Sequence, residues 1–165
     1  MEKSEYKVNN LYYGGNLMPW GKSCVVKNPK AIVFLAGTEG RHPDTDDVVE
    51  GIEAQALMCL EKLKKNAEEV GSSMDYICSM TIFVKGQEFP NGVDNYKPFQ
   101  DAKHVFDDFF KKHCGARPIP IPNTPEYVGW KPNGKEKPLV INLVGVSGLA
   151  KKEMLIEMSA IAIVP

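Results

Sequence analysis

The stretch 154–164, Met-Leu-Ile-Glu-Met-Ser-Ala-Ile-Ala-Ile-Val, most constrains how this chain can fold. It is too short to span a membrane and rich in Ile and Val, so it reads as a strand buried on both faces. Glu157 breaks the pattern. An ionised carboxylate inside such a strand costs roughly several kcal/mol unless it has a partner or opens onto a polar cleft. The rest of the chain must supply one or the other.

Upstream, two segments around residues 11–15 and 18–27 lead through a turn at Asn28, Pro29 and Lys30 into the apolar run 31–37 that ends at Gly37, a strand, turn, strand beginning. The polar loop 38–47 follows, and its acids and Thr45 predict the start of a helix. Val49, Ile52, Ala56, Leu60, Leu63, Ala67 and Val70 recur at spacings of three and four, one buried stripe that Gly71 terminates. Alternation over residues 76–84 predicts a strand stopping at Lys85 and Gly86. A second helix over about 98–113 carries Ala102, Val105, Phe106, Phe109 and Phe110 on one side.

Proline recurs at nearly every second place in 118–125, which forces an extended arm. Residues 127–137 read as an excursion loop before a strand at 139–146, and a turn at 147–150 leads to the final strand. The order ββ(β)-α-β-α-β-β predicts an α+β fold. It is a two-layer sandwich with a five- or six-stranded mixed sheet covered by two helices on one face. At 165 residues, one domain spanning 1–165 is expected.

Composition enters as a set of exclusions. A net charge of -1 with scattered lysines argues against nucleic acid as a main partner. Cys24, Cys59, Cys78 and Cys114 form no CxxC pair and read as reduced thiols of a cytoplasmic protein. Neither a secretory signal nor an apolar run of membrane-spanning length is expected, so no membrane role follows. There is no HxH, HExxH, Walker loop or GxGxxG, and His42, His104 and His113 read as surface or capping residues, so neither metal nor cofactor is expected. Arg117 and Glu157 remain. The proline arm would hold Arg117 on a rigid support suited to bidentate capture of a carboxylate, against the alternative of an ordinary surface arginine. Glu157 could equally be half of a structural salt bridge.

Six segments, taken in order, carry a resemblance. They are Ile-Val-Phe-Leu-Ala-Gly at 32–37, Glu-Ala-Gln-Ala-Leu-Met-Cys-Leu at 53–60, and Ile-Cys-Ser-Met-Thr-Ile-Phe-Val-Lys-Gly-Gln-Glu-Phe at 77–89. Val-Phe-Asp-Asp-Phe-Phe at 105–110, Gly-Ala-Arg at 115–117 and Leu-Ile-Glu-Met-Ser-Ala-Ile-Ala at 155–162 complete the set. Together they resemble the reactive intermediate deaminase family (Rid, or YjgF-like). The resemblance runs from about Pro19 to the C-terminus. It implies a chorismate-mutase-like sandwich assembled as a homotrimer with clefts between subunits. It also implies hydrolysis of enamines and imines such as 2-aminoacrylate to a keto acid and ammonia, without a cofactor.

Residue by residue, the resemblance implies that Arg117 grips the substrate carboxylate and that Glu157 positions the attacking water. Trp20 matches the aromatic residue of an early Pro-Tyr motif. Gly37 keeps the glycine of a Ser-Gly-Gln turn that lines the cleft, while Thr38 replaces its glutamine. Other positions depart from the pattern. Lys103 stands where the family has asparagine, Ile119 where a polar residue often follows the arginine, and Ser159 where a second acid closes the strand. An insertion at about 118–137, containing Trp130, would overhang the cleft and admit a larger carboxylate-bearing enamine. A non-catalytic trimer that binds small carboxylates is the alternative in a different class. Ribonuclease activity, attached to relatives, is opposed by the charge balance.

Overall fold

The structure is a computed structural model that describes residues 5–13, 16–86, 89, 92–113 and 140–165, with side chains described from residue 21 onward except at positions 94 and 111. The elements follow the order β1 (Glu5–Tyr13), β2 (Asn16–Lys27), β3 (Ala31–Glu39), α1 (Ile52–Glu69), β4 (Ile77–Lys85), α2 (Lys97–His113), β5 (Val140–Val146) and β6 (Ile156–Val164). This is the expected order. The six described strands divide into an antiparallel hairpin, β1 with β2, and a four-stranded mixed sheet in the order β3-β6-β4-β5.

In that sheet β6 runs antiparallel to both β3 and β4, while β4 and β5 are parallel. A parallel neighbour requires a crossover connection, and α2 lies within the one between β4 and β5. The C-terminal strand is thus central, flanked on each side by strands that precede it by more than 70 residues. Its position accounts for its apolar sequence.

Both helices cover one face of the sheet. Helix α1 buries Ile52, Ala56, Cys59, Leu60, Leu63 and Ala67, and α2 adds Phe99, Ala102, Phe106 and Phe110. They pack on Met80, Ile82 and Val84 of β4 and on Ile156, Met158, Ala160 and Ala162 of β6. Period 3.6 in the helices meets period 2 in the strands at a single core.

Two expectations need correction. Val49 does not belong to the α1 stripe, because residues 40–49 fold back on themselves. Arg41 bridges Val48, and the Val49 N–H donates to the Gly40 carbonyl at 2.9 Å. Helix α1 begins only after Gly51, whose φ of 85° breaks the chain direction, and no side chain caps it. Second, β6 is not buried on both faces within one chain. Ile156, Met158 and Ala160 are buried beneath the helices, whereas Glu157, Ser159 and Ile161 point to the opposite face, which neither α1 nor α2 covers. There Ile32, Phe34, Val144 and Ile161 are exposed, Phe34 by 77%.

Candidate functional site

Glu157 and Glu39 are register partners across β6 and β3. Directly opposed residues of an antiparallel pair project to the same face, so both carboxylates lie on the sheet face away from the helices. A register irregularity in β3 between Leu35 and Thr38 brings Gly37 under Glu157. A β-carbon placed on Gly37 would sit 2.1 Å from Glu157 Oε1. The carboxylate therefore occupies space that only glycine leaves open, and two residues singled out from the sequence are in direct contact.

Glu157 is partly shielded from water, and this desolvation pushes its pKa up, with the nearby charge of Glu39 adding to the effect. Among the described residues it makes no salt bridge. The salt-bridge alternative therefore finds no support among these residues, and the carboxyl lies on the sheet face away from α1 and α2.

Glu39 is fixed from two directions. Arg41 Nε donates to Glu39 Oε1 at 3.0 Å, and its Nη2 donates to the same oxygen. From α1, Lys62 Nζ donates to the Glu39 carbonyl at 2.9 Å. Arg41 is itself held by Asp46, which also receives Lys151 from the turn ahead of β6. These charge partners keep the Asp46 carboxyl below the ordinary range and hold Arg41 firmly protonated. Asp46, one of the acids expected to cap α1, thus ties the 40–49 loop to the β5–β6 turn. The sequence reading missed Glu39 and Arg41 because their link to Glu157 is set by strand register, which no local pattern reveals.

Thr38 points the other way. It is 4% exposed, and its hydroxyl proton is shared between the carbonyls of Cys59, at 3.1 Å, and Met158, at 3.2 Å. The side chain joins α1 to β6 within the core. Burial pushes the Cys59 thiol up to about 12, which makes it a packing residue rather than a nucleophile.

Gln55, 1% exposed, completes the support. Its Nε2 donates to the carbonyls of Val49 at 2.9 Å and Glu153 at 3.0 Å, and its Oε1 accepts from the Leu155 N–H at 2.7 Å. Those bonds anchor the chain two residues before Glu157. Gly40 is needed beside it, since a β-carbon there would lie 2.4 Å from Gln55 Cβ.

Of the other predicted positions, Trp20 lies on β2, and its side chain is outside the described residues, as are Arg117, Ile119, Trp130 and the whole of 118–137. Lys103 is 1% exposed, with Nζ 5.7 Å from the centroid of the Phe99 ring, so this departure from the family pattern is a core residue of α2. A cavity of about 290 Å³ between α1 and α2, lined by Leu57, Val105, Phe109 and His113 among others, contains none of the predicted site residues. Among the described residues no group of three or more His, Cys, Asp or Glu side chains could hold a metal, and no helix is long and apolar enough to cross a membrane.

A family model described as Endoribonuclease L-PSP matches residues 22–164. Among solved structures the chain is similar to YyfB of the Rid protein family from Yersinia pestis, with a TM-score of 0.63 and 18% identity, covering 96% of this chain and 98% of that one. It is similar to Escherichia coli TdcF with bound serine, with a TM-score of 0.58 and 21% identity over 88% of this chain and 87% of that one. RidA from an Antarctic Psychrobacter gives a TM-score of 0.53 and 18% identity, covering 87% of each chain. At these identities the structural likeness is one of fold. A search of curated proteins finds no match.

Proposed function

The chain belongs to the Endoribonuclease L-PSP family, the Rid or YjgF-like family of the sequence resemblance, and on that premise we propose that it is a hydrolytic deaminase of enamine and imine intermediates. The observation that carries the reading is Glu157. Its partly desolvated carboxyl lies over Gly37, opposite a second carboxylate in register, on the sheet face away from the helices.

In the reaction proposed, an enamine such as 2-aminoacrylate takes up a proton at carbon to give its imine. Arg117 grips the substrate carboxylate and fixes the imine carbon near Glu157. Glu157 orients a water molecule; the water oxygen bonds to the imine carbon, and the carbon–nitrogen bond breaks as the nitrogen takes up protons and leaves as ammonia. An acid of raised pKa can carry a proton in that exchange. The protonated imine is already electrophilic, so the chemistry draws on no metal or cofactor. Trp20, the backbone at Gly37 and Thr38, and Ile119 form the remaining pocket wall. The insertion at 118–137 of the single domain 1–165 adapts the pocket to a larger carboxylate-bearing substrate.

The exposed apolar row of Ile32, Phe34, Val144 and Ile161 supports assembly as a homotrimer in which neighbouring sheets cover it and the clefts lie between subunits. The free thiols of Cys24, Cys59 and Cys78 suit a reducing compartment and a cytoplasmic location.

Supplying 2-aminoacrylate from a dehydratase tests the activity. Keto acid is expected to appear faster with the protein present, and Arg117→Ala to remove the acceleration; equal rates with wild type and variant contradict the assignment. A second reading, a small-carboxylate-binding trimer without turnover, is favoured by the burial of Thr38 and Lys103, which leaves those side chains pointing into the core. The bound serine of TdcF fits either reading. A small carboxylate that raises Tm in a protein that deaminates no enamine selects the second.

A further inference from the structure

We propose that Glu39, pinned by Arg41, is a positioning residue for Glu157, and that its charge, opposite Glu157 across β3 and β6, holds a proton on the Glu157 carboxyl. This rests on the assignment of Glu157 to the reacting site and goes beyond it by supplying the device that keeps Glu157 loaded.

The geometry has three parts. Register places the two acids opposite one another on the same face. Arg41 holds the Glu39 carboxylate through Nε and Nη2, and Lys62 holds the Glu39 carbonyl, so Glu39 is restrained from swinging away from its neighbour. Gly37 leaves the space in which the Glu157 carboxyl settles, within the influence of Glu39. A negative charge on the same face favours the protonated form of a neighbouring carboxyl. Arg41 holds the Glu39 carboxylate in the place from which its charge acts on Glu157.

Among the described residues, the other groups around Glu157 do not reverse this. On β4 its register partner is Phe83, which carries no charge. Lys85, two residues further along β4, donates to the Lys152 carbonyl. On α1, Cys59 is a neutral thiol and Lys62 is engaged with the Glu39 backbone. Burial and the Glu39 charge both raise the proton affinity of Glu157. In the proposed reaction the proton passes from the Glu157 carboxyl to the departing nitrogen, and water entering the site returns one to the carboxylate, so the cycle closes without another reactant.

Glu39→Gln keeps the oxygen that accepts from Arg41 and removes only the charge. In the full-length protein with 13C-labelled glutamate, the Glu157 carboxyl resonance reports its titration directly. The midpoint is expected to fall by roughly half a unit to one unit in Glu39→Gln. The alkaline limb of the kcat/KM profile is expected to move to lower pH by the same amount, with KM at the acid end unchanged. Glu39→Asp, which restores the charge, is expected to recover most of the shift. An unmoved Glu157 midpoint in a folded Glu39→Gln protein overturns the proposal. A midpoint that falls in a protein deaminating no enamine sustains the pairing and counts against the deaminase reading alone.

Discussion

At the scale of single residues the decisive contact is between Glu157 and the missing side chain of Gly37. A methyl group added at Gly37 meets the far end of a flexible side chain, Glu157 Oε1 at 2.1 Å, and the carboxylate can move aside. Gly37→Ala should therefore leave stability within about 1 kcal/mol in urea denaturation. Deamination should fall roughly 10²-fold, as a displacement of about 1 Å at a reacting group costs. Loss of stability with activity retained would contradict this role for Gly37. The pH dependence of stability follows from the same residue. The pKa of Glu157 is raised from its ordinary 4.5, so between that value and its higher native value the folded chain holds a proton that the unfolded chain releases. Stability is thereby lost as pH rises through this window, and the loss is complete above the native value. Glu157→Gln should melt close to wild type at pH 4 and above it at pH 8. A variant less stable than wild type at pH 8 would show that the ionised carboxylate is stabilised by a partner.

The elements explain how much of this was legible in the sequence. Of the stripe 49–70, residues 52–67 encode their burial locally, as do the Phe-rich face of α2 and the alternation of 76–84 that becomes β4, while the ends Val49 and Val70 lie outside α1 and Val70 is exposed. The pairing of β6 between β3 and β4 is non-local, and with it the meeting of Glu39 and Glu157; neither has a signature within a window of residues. The apolar outer face of β6 misled in an instructive way. Ile161 and its neighbours on β3 are as apolar as core residues, and pattern alone does not say whether a helix of the same chain or another molecule covers them. Loop 40–49 misled through its acids, since no side chain caps α1 and Asp46 binds Arg41 and Lys151 instead. Gln55 is the polar residue on which this arrangement of elements depends. Gln55→Leu conserves approximate size and leaves the Leu155 N–H and the carbonyls of Val49 and Glu153 without their partner. A loss of about 2–4 kcal/mol is expected from urea denaturation. A change below about 0.5 kcal/mol would mean that the three groups find other partners.

At the scale of the whole molecule, the sheet has one face sealed by α1 and α2 and one that carries both the acid pair and an exposed apolar row. Phe34, 77% exposed, is the largest member of that row. If a second and third copy cover it, with the clefts between them as proposed, Phe34→Glu should convert a trimer to a monomer in sedimentation and reduce deamination at the same time. A wild-type monomer with full activity would contradict the assembly. The chemistry itself is tested most directly by stopped-flow release of ammonia from 2-aminoacrylate, comparing wild type with Glu157→Gln and Arg117→Ala. Release above the spontaneous rate is expected for wild type. Glu157→Gln should lower kcat by about 10²–10⁴-fold, the range of general acid–base assistance, with KM little changed, and Arg117→Ala should raise KM as well. Ammonia release at the spontaneous rate by wild type, or Glu157→Gln as fast as wild type, would contradict a deaminase built around Glu157.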